Sequence, residues 1–190
     1  MELPIFPLHT VLFPGGALAL KIFEQRYLEM TKVCLRDGTP FGVCLIAHGN
    51  EVGAPALPVE VGCTARIVDW EMPQPGMFHL DAQGGGRFRL RQSRSAANGL
   101  ITGEVDLLPD AATDAAVDPV CRETLQHILQ RIGKAAGPAA PALDDAAWVG
   151  FRLAELLPFA LPFKQQLLEL DDAGRRLELI RGVLAAQGVA

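Results

Sequence analysis

The sequence predicts an α+β protein, with a small, partly closed β-barrel over residues 1–110 and a helical bundle over residues 116–190. Two observations carry this prediction. Before Pro109, short apolar segments rich in β-forming residues alternate with glycine and proline. After Pro109, alanine and leucine become frequent and apolar residues recur with the helical period of 3.6.

The N-terminal half contains a series of short strand segments and one helix. Prolines at positions 4, 7 and 14 favour extended segments with sharp corners over a buried helix. The helix is predicted from Phe23, Tyr27, Met30 and Cys34, which share one helical face, and Gly38 marks its end. A glycine triplet at 84–86 predicts a loose hairpin. The strand segments are Leu3–Leu8, Val11–Phe13, Ala17–Phe23, Phe41–Ala47, Val59–Trp70, Met77–Asp81, Arg87–Gln92 and Leu100–Leu108.

The C-terminal half predicts four helices after an Ala/Asp-rich linker over 110–118. Asp118 followed by Pro119 is a typical N-cap with proline at the first helical position. A break over 137–141 precedes a second helix capped by Asp144 or Asp145 and stopped by Pro158. Pro162 opens a third helix, and Asp171 or Asp172 caps the fourth. Their apolar stripes include Cys121 and Leu125, Val149 and Leu153, Phe163 and Leu167, and Leu177 and Ile180.

Composition restricts the class of protein. A net charge of −5 argues against a dominant phosphate-backbone partner, because nucleic-acid binders usually carry a basic excess. No uncharged apolar run reaches the length of a membrane span, and the N-terminus lacks a signal-peptide pattern. The four cysteines are scattered without paired spacing. We therefore expect a cytoplasmic protein with reduced thiols and no membrane association.

Several motifs, in order along nearly the whole chain, resemble the N-terminal domain of Lon proteases. The opening run Leu3–Gly16 followed by Ile22–Tyr27 is similar to the family pattern "LPLFPL…VLFPG…PL.IFE.RY". The further matches are Phe41-Gly42-Val43, Val61–Ile67, Gly86–Leu90, and the helical signature Leu157-Pro158, Lys164–Glu169 and Arg175–Leu177.

The resemblance implies a PUA-like β pseudobarrel with one inserted helix, followed by helices. It also implies a bacterial, non-catalytic polypeptide-binding module related to ATP-dependent proteolysis. The family's proteases carry ATPase and serine–lysine peptidase modules, and this sequence reaches residue 190 before either would begin. A stand-alone relative of the substrate-recognition domain, without enzymatic activity, is therefore expected. Its partners would be unfolded or apolar polypeptide segments, with a protease, a chaperone or a second copy of the chain as further partners considered.

Two apolar clusters are candidate peptide-binding surfaces. In the segment 70–78, Trp70, Met72, Met77 and Phe78 lie in a stretch broken by proline and glycine. Methionine suits promiscuous binding because its flexible thioether adapts to different partners. Phe159 and Phe163, beside Pro158 and Pro162, form the second cluster. The alternative for both is a structural role, with the side chains folded back onto the core.

An RNA-binding or translation-linked function is the competing hypothesis. Arg87, Arg89, Arg91 and Arg94 follow a period of two, which predicts one wet, cationic strand face. PUA-like barrels in other families bind RNA. The acidic net charge and the absence of interleaved aromatics on that face weigh against it.

Motifs for catalysis, metals or cofactors are not found. The four histidines are isolated and no Cys-x-x-Cys occurs. Neither the glycine triplet at 84–86 nor the pair Gly133-Lys134 has the spacing of a phosphate-binding loop. The two serines, Ser93 and Ser95, lie in a polar segment without a nucleophile elbow. Cys63 paired with a histidine in space is the remaining enzymatic hypothesis. We expect no cofactor and no metal.

Overall fold

The computed structural model describes residues 1–109, 115–133 and 141–188. The chain divides into two compact units, Met1–Leu108 and Pro109–Ala190. Residues 110–114 of the predicted linker and 137–140 of the predicted helix break lie outside the described residues. The elements are β1 (Glu2–Leu8), β2 (Ala17–Ile22), α1 (Gln25–Asp37), β3 (Phe41–His48), β4 (Leu57–Gln74), β5 (Met77–Ser95), β6 (Ile101–Leu107), α2 (Pro119–Ile132), α3 (Ala146–Leu156), α4 (Leu161–Glu169) and α5 (Ala173–Ala186).

The first unit is a mixed six-stranded sheet that closes into a near-barrel ring. The strand order is β2-β5-β4-β3-β1-β6, and an additional β5–β6 pairing joins β6 back to β5. The second half of β5 therefore completes a ring of five strands, while β2 pairs with the first half, residues 78–83. Only β1 and β3 run parallel among these pairings. The predicted α+β pseudobarrel with one helix inserted after β2 is confirmed.

The glycine triplet lies inside a strand, so the predicted hairpin at 84–86 is wrong. β5 runs without a break from Met77 to Ser95, and the hairpin turn lies instead at Pro75-Gly76. Across from the triplet, Cys63 pairs with Arg87 while Ala65 pairs with Gly84, so β5 carries one extra residue. This is a β-bulge, a place where glycine is favoured because backbones approach closely.

The segment Val11–Phe13 is buried but is not a strand, contrary to prediction. The Gly16 N–H donates to the Phe13 carbonyl, so the chain turns sharply there. Two bonds fix this turn to β5: Gly15 donates to the Gly84 carbonyl, and Gly84 donates to Gly16. The side chains of residues 11–13 pack into the core without joining the sheet ladder.

Helix α1 begins later than its apolar spacing predicts. Glu24 is the N-cap residue in an extended conformation, and α1 ends at Gly38 in the left-handed region. Phe23 precedes the cap, so helical spacing does not apply to it, and its side chain is 53% exposed. Tyr27, Met30 and Cys34 face the core as predicted, and the Tyr27 ring stacks on Phe6 at 3.9 Å between centroids.

The described residues of the second unit contain four helices, and aspartate caps the starts of three of them. The side chains of Asp118, Asp145 and Asp172 each accept backbone N–H groups from the first turns of α2, α3 and α5. Proline occupies the first turn of α2 and α4. Helix α3 is the most buried of the four and packs against α2, α4 and α5. The predicted helical region is confirmed within the described residues.

Candidate functional site

An exposed apolar patch lies at the end of the β4–β5 hairpin. Val68, Trp70 and Met72 are 59%, 51% and 46% exposed, respectively. We call these three residues the hairpin-end patch. They follow one another at alternate positions of β4 in a stretch where every residue from 68 to 76 is exposed. Large apolar side chains so exposed and so close in sequence are typical of an interaction surface.

The strand register explains why Trp70 lies where it does. Ile67 pairs with Ala82 and Asp69 with Asp81, so Val68 is an extra residue at a β-bulge. Because of this bulge, Trp70 lies opposite Leu80, and its ring meets Phe78 edge-on at 5.6 Å. Phe78 itself is only 4% exposed and belongs to the core. It supports the Trp70 ring and offers no surface of its own.

Of the four residues predicted for this cluster, two are surface residues. Trp70 and Met72 are exposed, Phe78 is buried, and Met77 is half-buried beside the turn, where Gln74 Nε2 approaches its Sδ at 3.7 Å. Val68 was not predicted, because the sequence alone does not indicate whether a valine in a strand is exposed. Its exposure follows from the β-bulge, which only the strand pairing shows. The hairpin-end patch therefore joins two predicted residues with one that only the register identifies.

A cleft of about 430 Å³ adjoins Trp70 on the outer face of β2, β5 and β4. Two cross-strand rows of side chains cross it. One row is Lys21, His79 and Glu71, in which His79 Nδ1 lies 2.9 Å from Glu71 Oε1. The other is Ala19, Asp81 and Asp69. These rows give the cleft a mainly acidic floor, while the Trp70 ring lies against Phe78 on the other face of the strands.

A second cleft, of about 260 Å³, lies on the other side of β2. Its lining is largely apolar, with Phe6, Leu8 and Tyr27 at its base and Val52 exposed in its wall. Burial raises the pKa of Tyr27 to about 12, so the phenol stays neutral at physiological pH. Both clefts share residues 19–21 of β2. This strand therefore separates an acidic cleft from an apolar one.

Phe159 and Phe163, the second predicted cluster, lie in the helical unit. Their rings meet edge-on at 5.1 Å, and both side chains are half-buried. Phe159 follows the end of α3, and Phe163 lies in the first turn of α4. Each ring therefore covers part of the other, and the pair exposes less apolar surface than the hairpin-end patch does.

The four predicted arginines do not form one open cationic face. Arg87 is 2% exposed, so it is not on the surface. The other three have carboxylate partners: Arg89 lies 3.7 Å from Glu60, Arg91 lies 2.6 Å from Asp106, and Arg94 pairs with Glu2. A carboxylate beside each exposed guanidinium reduces the net positive charge with which this face would attract a phosphate backbone.

The cysteines have the environment of structural residues. All four are buried and unbridged, and the Cys63 thiol donates to the Gly85 carbonyl at 3.4 Å. Burial raises the pKa of Cys63 to about 12, which disfavours the thiolate that a nucleophile requires. Among the described residues, no three His, Cys, Asp or Glu side chains are arranged to hold a metal ion. None of the helices described there is long and apolar enough to span a bilayer.

We expect the thiols to be inert in the folded protein. Burial raises the pKa of Cys44, Cys63 and Cys121 to about 12, and that of Cys34 also lies above its usual value. At pH 8, a chromogenic disulfide reagent should label none of the four within minutes, and all four after denaturation. Fast labelling of Cys63 in the native protein would contradict its burial. Because these thiol pKa values are raised by folding, their contribution to stability is present below about pH 9 and is lost as pH rises toward 12.

The comparison with protein families identifies one domain over almost the whole sequence. Residues 2–186 match the family described as the ATP-dependent protease La (LON) substrate-binding domain. With that domain filling residues 2–186, the 190 residues have no room for an ATPase or peptidase module.

Individual relatives agree with this assignment. The crystal structure of a Lon N-terminal domain protein from Xanthomonas campestris superposes with a TM-score of 0.79 at 38% identity, covering 96% of this chain and 98% of the other. Protein cereblon of Danio rerio is 28% identical over 57% of this chain, and Lon protease 2 of Myxococcus xanthus is 34% identical over 46%. The matched regions span 26% and 11% of those two proteins. The chain belongs to the Lon substrate-binding domain family.

Proposed function

We propose that this domain binds exposed apolar segments of other polypeptides and has no catalytic activity of its own. The observation that carries the proposal is the hairpin-end patch, of which Trp70 lines the first of the two clefts that share β2. Large exposed apolar side chains grouped in one short segment are typical of a surface that a partner covers. The family description, a substrate-binding domain, supports the same role.

The patch suits weak binding with little sequence preference. Burying one large apolar side chain contributes roughly 1.5–3 kcal/mol, so two or three contacts give modest affinity. Met72 adapts its shape to different partners, and Trp70 supplies a broad rigid ring. Such a surface accepts many apolar segments and selects strongly for none.

Nucleic-acid binding is not favoured. Each exposed arginine of the competing site is ion-paired, and the fourth is buried. A protease or chaperone that receives the bound segment is the further partner we infer from the family. Four buried free thiols support a reducing cytoplasm as the compartment.

The test is binding of an unfolded protein by wild type and a patch variant. Carboxymethylated α-lactalbumin, which cannot refold, serves as the probe. Met72→Asp places a charge on the patch without touching the core, and we expect its affinity to fall about tenfold or more. Phe78→Asp is unsuitable because Phe78 is buried and the variant would lose the fold.

Val33→Asp is the matched control, since Val33 is 44% exposed on helix α1 and lines neither cleft. It should bind the probe as wild type does. Trp70 fluorescence in a Trp148→Phe background reports contact at the patch directly. Equal affinity of wild type, Met72→Asp and Val33→Asp would reject this surface, and no binding by wild type would reject the function.

A further inference from the structure

We infer that the bound polypeptide adds to the sheet as an extended strand along the free edge of β2, with alternate apolar side chains entering the 260 Å³ cleft. This inference rests on the proposed function and specifies the conformation and chemistry of its ligand. It is carried by the hydrogen-bond pattern of β2, by the apolar cleft beside that strand, and by the charge of Lys21.

The backbone of β2 is paired on one side. Among the described residues, β2 pairs with β5 and with no other strand. Its opposite edge borders the second cleft, which residues 19–24 line consecutively, with Phe6 and Leu8 of β1 across from them. An unpaired strand edge presents alternating N–H and C=O groups, and an extended backbone is the chemistry that complements it.

The register identifies which residues point their backbone groups at the open edge. The Gly84 N–H donates to the Gly16 carbonyl at 2.8 Å and the Gly84 carbonyl accepts from Gly15, so the backbone groups of Gly84 point toward the β2 side. In an antiparallel ladder hydrogen-bonded pairs alternate with non-bonded ones along each strand, so Leu18, Leu20 and Ile22 exchange bonds with β5. The N–H and C=O groups of Ala19 and Lys21 therefore point outward. The small Ala19 side chain leaves that edge accessible.

The side chains of an added strand would meet two different environments. Leu20 and Ile22 face the core side of β2, where the second cleft is lined by Phe6, Leu8 and Tyr27. Alternate residues of the ligand would enter that apolar cleft. The residues between them would lie on the outer face beside Lys21, which is exposed and forms no ion pair within the described parts of the chain. A carboxylate is favoured only at the ligand position directly opposite Lys21. Glu24 and Glu51, which also line the cleft, and Asp81 on the outer face disfavour further acidic residues in the ligand.

The ligand class is thus an extended segment in which apolar residues alternate with polar ones, with a single carboxylate opposite Lys21. Main-chain hydrogen bonds supply affinity that does not depend on sequence, and the cleft and Lys21 supply the preference. A single edge lysine is also a common device against unwanted strand pairing. Lys21 could therefore serve ligand binding or only prevent strand pairing. If it only prevents pairing, the outward amides of β2 gain no hydrogen-bond partner when ligand is added.

Amide hydrogen exchange, measured for each residue by NMR, distinguishes strand addition at β2 from an edge that only resists pairing. The probe is a blocked ten-residue peptide that alternates leucine with threonine, with a single glutamate in place of one threonine. In the free protein, the amides of Leu18, Leu20 and Ile22 should be protected while those of Ala19 and Lys21 exchange quickly. With peptide bound, we expect exchange at Ala19 and Lys21 to slow about tenfold or more. Binding of peptide with no protection at these two amides would overturn strand addition and leave the proposed function standing.

Proline substitutions give the matched test. Ala19→Pro removes an outward N–H, which proline tolerates at an edge strand, so the fold should persist while peptide affinity falls about fivefold to tenfold. Leu20→Pro removes an N–H that bonds β5 and should destabilise the unit. A peptide with lysine in place of glutamate should bind more weakly, and N-methylation along one edge of the peptide should abolish binding. Undiminished binding by Ala19→Pro would overturn the inference. Failure of both the peptide and carboxymethylated α-lactalbumin to bind wild type would reject the proposed function with it.

Discussion

Gly84→Ala should destabilise the barrel unit by about 3 kcal/mol, because the added methyl group collides with backbone. A Cβ at this position would lie well inside van der Waals contact of the Phe13 carbonyl oxygen and only 3.2 Å from Leu12 Cγ. Hydrogen bonds between Gly84 and the turn at Gly15-Gly16 hold the two chains at this distance. Neither partner is the end of a flexible side chain, so the strain has no easy relief. The free energy of unfolding, measured by urea titration, gives the effect.

Gly86→Ala is the control for this prediction. Nothing lies within 4 Å of a Cβ at Gly86, although it belongs to the same triplet and the same strand. Replacing a strand glycine by alanine lowers the entropy of the unfolded chain, so this variant should be neutral or more stable by roughly 0.5 kcal/mol. Equal losses in the free energy of unfolding for Gly84→Ala and Gly86→Ala would contradict this account. They would mean that the glycines are needed for strand flexibility and not for the close approach of the Phe13 backbone.

Arg176→Met should destabilise the helical unit by about 3 kcal/mol, since it deletes a buried guanidinium that holds two helices together. Arg176 lies on α5 with no exposed surface. Its Nε donates to the Leu167 carbonyl at 2.9 Å, and Nη2 donates to the Leu170 carbonyl at the end of α4. The guanidinium also covers the Phe151 ring at 3.9 Å. Methionine fills much of the volume but leaves both carbonyls without these donors.

Arg175→Met is the control that separates the loss of a buried arginine from the loss of a positive charge. Arg175 is exposed on the same helix and pairs with Glu178 at 2.7 Å, a contact of the kind that contributes about 0.5 kcal/mol or less. Thermal unfolding followed by circular dichroism should show a large fall in melting temperature for Arg176→Met and little change for Arg175→Met. Similar falls for the two variants would contradict the role of the buried Arg176 guanidinium in holding α4 and α5 together.

Most helices and strands were predictable from the sequence because their ends are marked by residues close to them in the chain. Asp118-Pro119, Pro158 and Gly38 mark helix ends through capping chemistry that depends on neighbouring residues only. The hairpin predicted at the glycine triplet was wrong because a run of glycines is equally typical of a turn and of a β-bulge. The choice depends on the Phe13 carbonyl, which lies far from Gly84 in the sequence and enters no local pattern.

The candidate site was harder to predict than the fold. Trp70 and Met72 stood out by residue type, yet the same criterion selected Phe78, which is buried. Exposure there depends on the bulge at Val68 and on β2 covering the first half of β5, both of which are tertiary features. The open edge of β2 was likewise invisible, since strand order follows from long-range pairing and not from composition.

The central claim is that this domain holds other polypeptides at the surface formed by β2 and the hairpin-end patch. The most direct measurement is an NMR titration of isotope-labelled protein with carboxymethylated α-lactalbumin. We predict that shifted amide signals map to residues 19–23 and 68–72 and leave the paired arginines at 89–94 unchanged. Shifts confined to other parts of the chain, or none at saturating probe, would contradict the claim.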